Sequence, residues 1–135
     1  MVRFRAPDYV VLVVQDLDRS LRFYCDLLGL PLGHRSGSFA QLATGATRVA
    51  LYERSAMAAT LGRELEPPSP EAAGFELGFK VEDCDTAYGE LVAGGATPAV
   101  PPTDRAWGQR TAYVRDPDAH LVELAQDLAE AQPST

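Results

Sequence analysis

Basic residues, cysteines, histidines and long apolar runs are all in short supply in this 135-residue chain, and each shortage excludes something. Twelve Lys and Arg stand against nineteen Asp and Glu, for a net charge of -7. The basic residues are scattered, with Arg3, Arg22, Arg48, Lys80 and Arg110 falling in different predicted elements. An acidic chain without a basic stripe is a poor ligand for polyanionic nucleic acid or for an anionic membrane surface. No stretch reaches the apolar length of a bilayer span. The basic N-terminal residues are not followed by an apolar signal segment, so a cytoplasmic location is expected. Cys25 and Cys84 are the only cysteines, and both fall at apolar positions of predicted helices, which favours buried free thiols over a disulfide. No Gly-x-Ser-x-Gly, Gly-x-Gly-x-x-Gly or phosphate loop occurs, so hydrolase and nucleotide-dependent readings have no support.

What is present is a repeat. Hydrophobic residues make up 46%, enough for a real core in one domain of this length. The β-branched run 8–15 predicts a buried strand, and Asp16 or Asp18 then opens a helix carrying Leu17, Leu21, Tyr24 and Leu28, closed by Gly29. Strands are expected at 31–36, 38–43 and 47–53. A short helix near 55–62 and an irregular, proline-rich linker follow, completing 54–73. The pattern then returns. A strand at 75–81 is followed by a helix opened by Asp83 or Asp85 and closed by Gly94-Gly95, then by strands at 97–101, 109–115 and 120–126. Val14-Gln15-Asp16 aligns with Val81-Glu82-Asp83, and Arg48 through Leu51 aligns with a segment starting at His120 or Leu121 once an insertion at 101–108 is allowed. This is duplication of a βαβββ module. The expected fold is α+β: two βαβββ modules, about 8–53 and 74–126, forming a cupped, partly open mixed β-sheet cleft with helices on the outside. The tail 127–135 is polar and expected to fray.

Strand alternation sorts the side chains. Val10, Leu12 and Val14 share one face of the first strand; Leu77, Phe79 and Val81 share one face of its counterpart. These apolar sets should pack under the helices, as should Val49, Leu51, Val122 and Leu124. The opposite faces hold Tyr9, then Arg48, Ala50 and Tyr52, then Glu76, Gly78 and Lys80, then Leu121, Glu123 and Ala125. Four equivalent inward positions emerge: Tyr9, Ala50, Glu76 and Glu123. Two carboxylates on such faces need partners, because burying an unpaired charge costs several kcal/mol. Arg48, Lys80 and Arg110 are the expected ones. Trp107, alone of its kind, either stacks on a planar ligand or pins its loop. Phe23 and Tyr24 are helix packing, His34 and His120 exposed turn residues, and Asp116-Pro117-Asp118 a turn.

Asp16-Leu17-Asp18-Arg19-Ser20-Leu21-Arg22-Phe23-Tyr24 with Leu27-Leu28-Gly29-Leu30, and Trp107-Gly108-Gln109-Arg110 leading to Asp116-Pro117-Asp118 and Leu121-Val122-Glu123-Leu124, resemble the first helix and the closing segment of the vicinal oxygen chelate superfamily, the glyoxalase, bleomycin-resistance and extradiol-dioxygenase group. The resemblance runs from Tyr9 to about Gln126. It implies that metal-dependent members take ligands from the four inward positions, usually His or Gln at the first and third and often Glu at the second and fourth. Glu123 fits. Tyr9 and Glu76 stand where His is usual, Ala50 cannot ligate, and Ala119 stands where the family turns on Gly. The implied ligand-contacting set is Tyr9, Arg48, Ala50, Tyr52, Glu76, Trp107 and Glu123. No metal ligand set or other cofactor is expected. The leading expectation is a small-molecule-binding protein of the glyoxalase/bleomycin-resistance type that sequesters a planar or cationic compound without metal. The alternatives are a lyase, isomerase or dioxygenase using Glu123 with a divalent metal, and a protein-interaction module with a vestigial cleft; whether the chain is an enzyme stays open. A homodimer is expected by analogy with the group, with the cleft formed within one chain or by exchange between two.

Overall fold

The computed structural model describes residues 2–72 and 74–128; the expectation of a frayed tail falls, from residue 129 on, outside the described residues. The chain divides into two units, Met1–Pro68 and Ser69–Thr135. The first runs β1 (Tyr9–Val14), α1 (Leu17–Leu21), a π-helical turn (Arg22–Leu27), β2 (Leu32–Ser36), β3 (Phe39–Leu42), β4 (Arg48–Glu53) and α2 (Arg54–Leu61). The second runs β5 (Glu76–Lys80), α3 (Cys84–Ala93), β6 (Thr97–Arg105), β7 (Gln109–Arg115) and β8 (Leu121–Asp127). Each unit is a four-stranded mixed sheet, ordered β1-β4-β3-β2 and β5-β8-β7-β6, with its first and last strands parallel. No helix among the described residues is long and apolar enough to cross a membrane.

The registers make the duplication concrete. Tyr9 pairs with Arg48 in one sheet and Glu76 with Leu121 in the other, so the second-copy match begins at Leu121 rather than His120. A buried cross-strand row, Leu12–Leu51–Ala40, has its counterpart in Phe79–Leu124–Ala112. The helix starts are duplicated too. Asp16 and Asp83 cap α1 and α3 by accepting from the backbone N–H groups of Arg19 and Thr86, at 3.1 and 3.0 Å. The N–H of the first helical residue is in each case received by a side chain from the last strand: Leu17 donates to Glu53 at 3.1 Å, and Cys84 to Gln126 at 2.9 Å. Helix N-termini carry orphan donors, and here the sheet itself supplies an acceptor.

Four local expectations are revised. The first helix does not stay α-helical to Leu28: it widens into a π turn after Leu21, closed by the Leu28 N–H to Phe23 carbonyl bond of 3.0 Å. The wider turn buries the adjacent Phe23 and Tyr24 together, their rings 4.8 Å apart and nearly perpendicular. The insertion at 101–108 is mostly not a loop, because β6 continues through its prolines to Arg105 and forms a long hairpin with β7. Proline is tolerated there because β6 is an edge strand. His34 lies in strand β2 rather than in a turn, and His120 is half-buried, its ring 5.9 Å from that of Phe75. Both cysteines are free thiols, Cys84 buried and Cys25 half-buried.

The turn 116–119 carries backbone strain. Ala119 has φ of 67°, the one positive φ at a non-glycine among the described residues. A Cβ in this region costs about 1–2 kcal/mol, against which glycine's extra chain entropy costs about 0.5–1 kcal/mol. Ala119→Gly is therefore expected to stabilise the protein by roughly 0.5–1 kcal/mol, read as a small rise in Tm.

Candidate functional site

In the second unit α3 covers one face of the sheet, the face of Val122, Leu124, Val114 and Ala112, all buried. The other face is polar. The register aligns Gly78, Glu123, Tyr113 and Val100 across four strands, with Glu76 one pleat along β5 and Thr111 one pleat along β7. Glu76 and Glu123 converge on the Tyr113 hydroxyl, which donates to Oε2 of Glu123 at 3.0 Å and lies 3.5 Å from Oε2 of Glu76. A Cβ on Gly78 would meet Oε1 of Glu123 at 3.0 Å, so the missing side chain is what leaves room for that carboxylate.

The electrostatics follow from this geometry. Burial first, and then the neighbouring Glu123 charge and hydrogen bond, push the Glu76 carboxyl above its ordinary value, with the Tyr113 hydroxyl pulling weakly the other way. The Tyr113 phenol is pushed up to about 12, by burial and then by its bond to Glu123 and the two negative charges. Tyr113 thus stays a donor across the neutral range. A carboxyl that holds its proton more tightly folded than unfolded loses stability for the fold as pH rises through its raised value. Glu76→Gln, which keeps the hydrogen-bonding shape without the charge, is expected to melt higher than the parent at neutral pH. The gap should close as the pH falls below the ordinary carboxylate range, which a melting series from acid to neutral pH would show.

The expected ion pairs to these carboxylates do not form. Arg48 pairs with Asp8 of its own unit at 2.6 Å. Lys80 lies beyond Gly78 on β5 and reaches Asp127 on the next strand at 2.8 Å. Arg110 belongs to the α3 face, because alternation along β7 turns it away from Thr111 and Tyr113; it bonds Asp85 at 3.0 Å and Asp104 at 2.9 Å. Arg115 donates to the Ala119 carbonyl at 2.9 Å. Arg105 is anchored by its Nε to the buried Thr111 hydroxyl at 2.8 Å. Among the described residues, neither Glu76 nor Glu123 has a cationic partner.

In the first unit, the row equivalent to Gly78–Glu123–Tyr113 is Val11–Ala50–Gln41. Ala50 is fully buried, and Tyr9, the counterpart of Glu76, is exposed. Tyr52 shares a hydrogen bond of 3.0 Å with Thr60 of α2 and packs edge-on against Phe39. Trp107 sits exposed in the β6–β7 turn, its indole N–H donating to Gln109 at 2.9 Å. Sequence reasoning missed Tyr113. The signal was available in the alternation of Gln109, Thr111, Tyr113 and Arg115, but only the β7–β8 register puts Tyr113 opposite Glu123.

The donor set does not fit a transition-metal site of the kind the resemblance implies. Glu123 is present but its Oε2 is engaged by Tyr113, and the other three positions offer a phenol, a methyl group and a carboxylate without any imidazole. Among the described residues no group of three or more His, Cys, Asp or Glu could hold a metal ion.

Residues 6–124 match the Glyoxalase/Bleomycin resistance protein/Dioxygenase superfamily, and the chain belongs to that family. It is 38% identical over 121 residues to the protein YraH of Bacillus subtilis, covering 87% of this chain and 94% of that one. It is 31% identical over 123 residues to a bleomycin resistance protein of Geobacillus stearothermophilus, covering 87% and 93% of the two chains. The crystal structure of a glyoxalase/bleomycin resistance protein/dioxygenase from Nocardioides superposes with a TM-score of 0.80 at 26% identity, over 100% of this chain and 91% of that one.

Proposed function

We propose that the protein binds a small planar or cationic compound and sequesters it without metal. The observation that carries this reading is the pair Glu76 and Glu123, gathered on one hydroxyl and left without a protein cation among the described residues. Two like charges held together oppose each other, and a ligand cation would relieve that repulsion. A relative named as a bleomycin resistance protein, 31% identical over most of both chains, supports ligand capture over turnover. The net charge of -7 supports a small-molecule partner rather than nucleic acid. The reading extends to a cytoplasmic homodimer, by analogy with the family.

A thermal-shift screen with planar and cationic compounds, metal-free bleomycin among them, tests it. Run in excess chelator, a binder should raise the Tm with ligand concentration, and Glu123→Gln should weaken binding by about tenfold or more. No stabilising compound across the panel would overturn the reading. Binding that vanishes in chelator would favour a metal-dependent enzyme built on Glu123 instead.

A further inference from the structure

We infer that the ligand is a zwitterion or carries a separate oxyanion, and that Arg105 is the residue that takes its anionic group. The inference rests on the reading of the Glu76–Glu123 face as the ligand surface and adds the second half of the ligand's chemistry.

Arg105 ends β6 and pairs in register with Gln109 of β7, which places it on the same face as Thr111 and Tyr113. Its guanidinium is not free to wander. The Nε donates to the hydroxyl of Thr111 at 2.8 Å, and Thr111 is fully buried and therefore fixed. An arginine anchored through Nε keeps both terminal NH2 groups available, and their planar fork matches a carboxylate or phosphate in two parallel bonds. Among the described residues nothing else bonds this guanidinium, whereas Arg35, Arg48 and Arg110 each hold a carboxylate. The acids nearest by register are also committed, since Asp127 takes Lys80 and Gln109, and Asp104 takes Arg110.

The spacing makes this one ligand rather than two. Thr111 and Tyr113 are two residues apart on one strand, so their side chains stand about 7 Å apart on the same face. A cationic group on the carboxylate pair and an oxyanion on Arg105 therefore belong to a compact, bifunctional molecule. The part between them would lie over Ala125, which pairs with Thr111 and presents only a methyl. Lys80 faces the same way but is held by Asp127, and the Arg115 guanidinium is drawn to the Ala119 carbonyl of the 116–119 turn; among the described cations of this face, Arg105 is the one fixed beside Thr111 with both terminal NH2 groups unengaged.

Three probes that differ only in charge test the idea: 4-(aminomethyl)benzoate, 4-methylbenzylamine and 4-methylbenzoate. Binding is measured by calorimetry and by the fluorescence of Trp107, which is the only tryptophan and stands two residues from Arg105. The zwitterion should bind about tenfold or more tighter than the amine, because a bidentate charge-assisted pair is added. Arg105→Gln should bring the zwitterion down to the level of the amine and leave the amine unchanged. Thr111→Val, which keeps the guanidinium but removes its anchor, should likewise weaken the zwitterion and spare the amine, a selectivity that a general loss of structure would not produce. Glu123→Gln should weaken both the zwitterion and the amine. If the amine and the zwitterion bind equally and Arg105→Gln changes neither, Arg105 has no such role, while the carboxylate reading stands. If 4-methylbenzoate binds as tightly as the zwitterion, or if the zwitterion does not bind, the bifunctional ligand is excluded.

Discussion

Asp116→Ala will destabilise the protein by about 3 kcal/mol, lowering the Tm by roughly 10 °C in a calorimetric scan. Asp116 is 3% exposed, and its Oδ1 accepts from the backbone N–H groups of Asp118 and His120, at 2.8 and 2.9 Å. Alanine would leave two donors in a closed turn without that acceptor, and each unsatisfied buried donor costs about 1–3 kcal/mol. The backbone cannot easily move to find other partners. The Asp116 N–H already donates to the His120 carbonyl, the Ala119 N–H to the Asp116 carbonyl, and Arg115 to the Ala119 carbonyl. These bonds are also what hold Ala119 at positive φ. Asp116→Asn keeps an acceptor oxygen and should cost much less. Equal losses from the two substitutions would mean that charge, rather than the acceptor, is what matters.

Leu51→Ala should cost about 3–4 kcal/mol, seen as an earlier midpoint in urea with an unchanged slope. Leu51 has no exposed surface and stands between Leu12 and Ala40, which are themselves buried. Ala40 is too small to collapse into the space, so the cavity stays. Leu124→Ala, the same change at the equivalent position of the second unit, should cost less. Its neighbour Phe79 is only half-buried and large enough to lean into the gap. Core substitutions at fixed chemistry differ mainly in how far the surroundings relax. A larger loss at Leu124 than at Leu51 would contradict this account.

The two substitutions sample different determinants. Leu51 and Leu124 do the same job in two copies of one pattern, and that pattern was readable beforehand. The alternation of Val10, Leu12 and Val14, and of Leu77 and Phe79, depends only on the period-two geometry of a strand with one face buried. The caps were readable to within one choice. Asp16 rather than Asp18, and Asp83 rather than Asp85, take the role because each lies just before the first helical residue, with its own backbone still extended. The glycine-like demand at Ala119 was expected from the resemblance, and the backbone meets it at φ of 67°.

The charge partners were not readable. Arg110 and Lys80 are near enough in sequence to either carboxylate to suggest a bridge, and both are committed elsewhere. Partner choice depends on which face a residue occupies and on which strand lies beside it. The odd, three-residue spacing along β7 puts them on opposite faces and sends Arg110 to Asp85 on α3 and Tyr113 to Glu123. The role of the 101–108 insertion had the same fate, since proline argues against a strand until an edge position is available to hold it.

Composition and periodicity by themselves determined the repeated βαβββ pattern, the apolar faces, the helix starts and the acidic balance that disfavours nucleic acid. These are local properties, set by backbone period, capping chemistry and net charge. Only the tertiary structure decided that Glu76, Glu123 and Tyr113 meet, that no described cation meets them, and that Arg105 is anchored on Thr111. Those contacts cross between strands, over six residues for Arg105 and Thr111 and 37 for Glu76 and Tyr113, and cross-strand register, which no local rule specifies, is what brings them together.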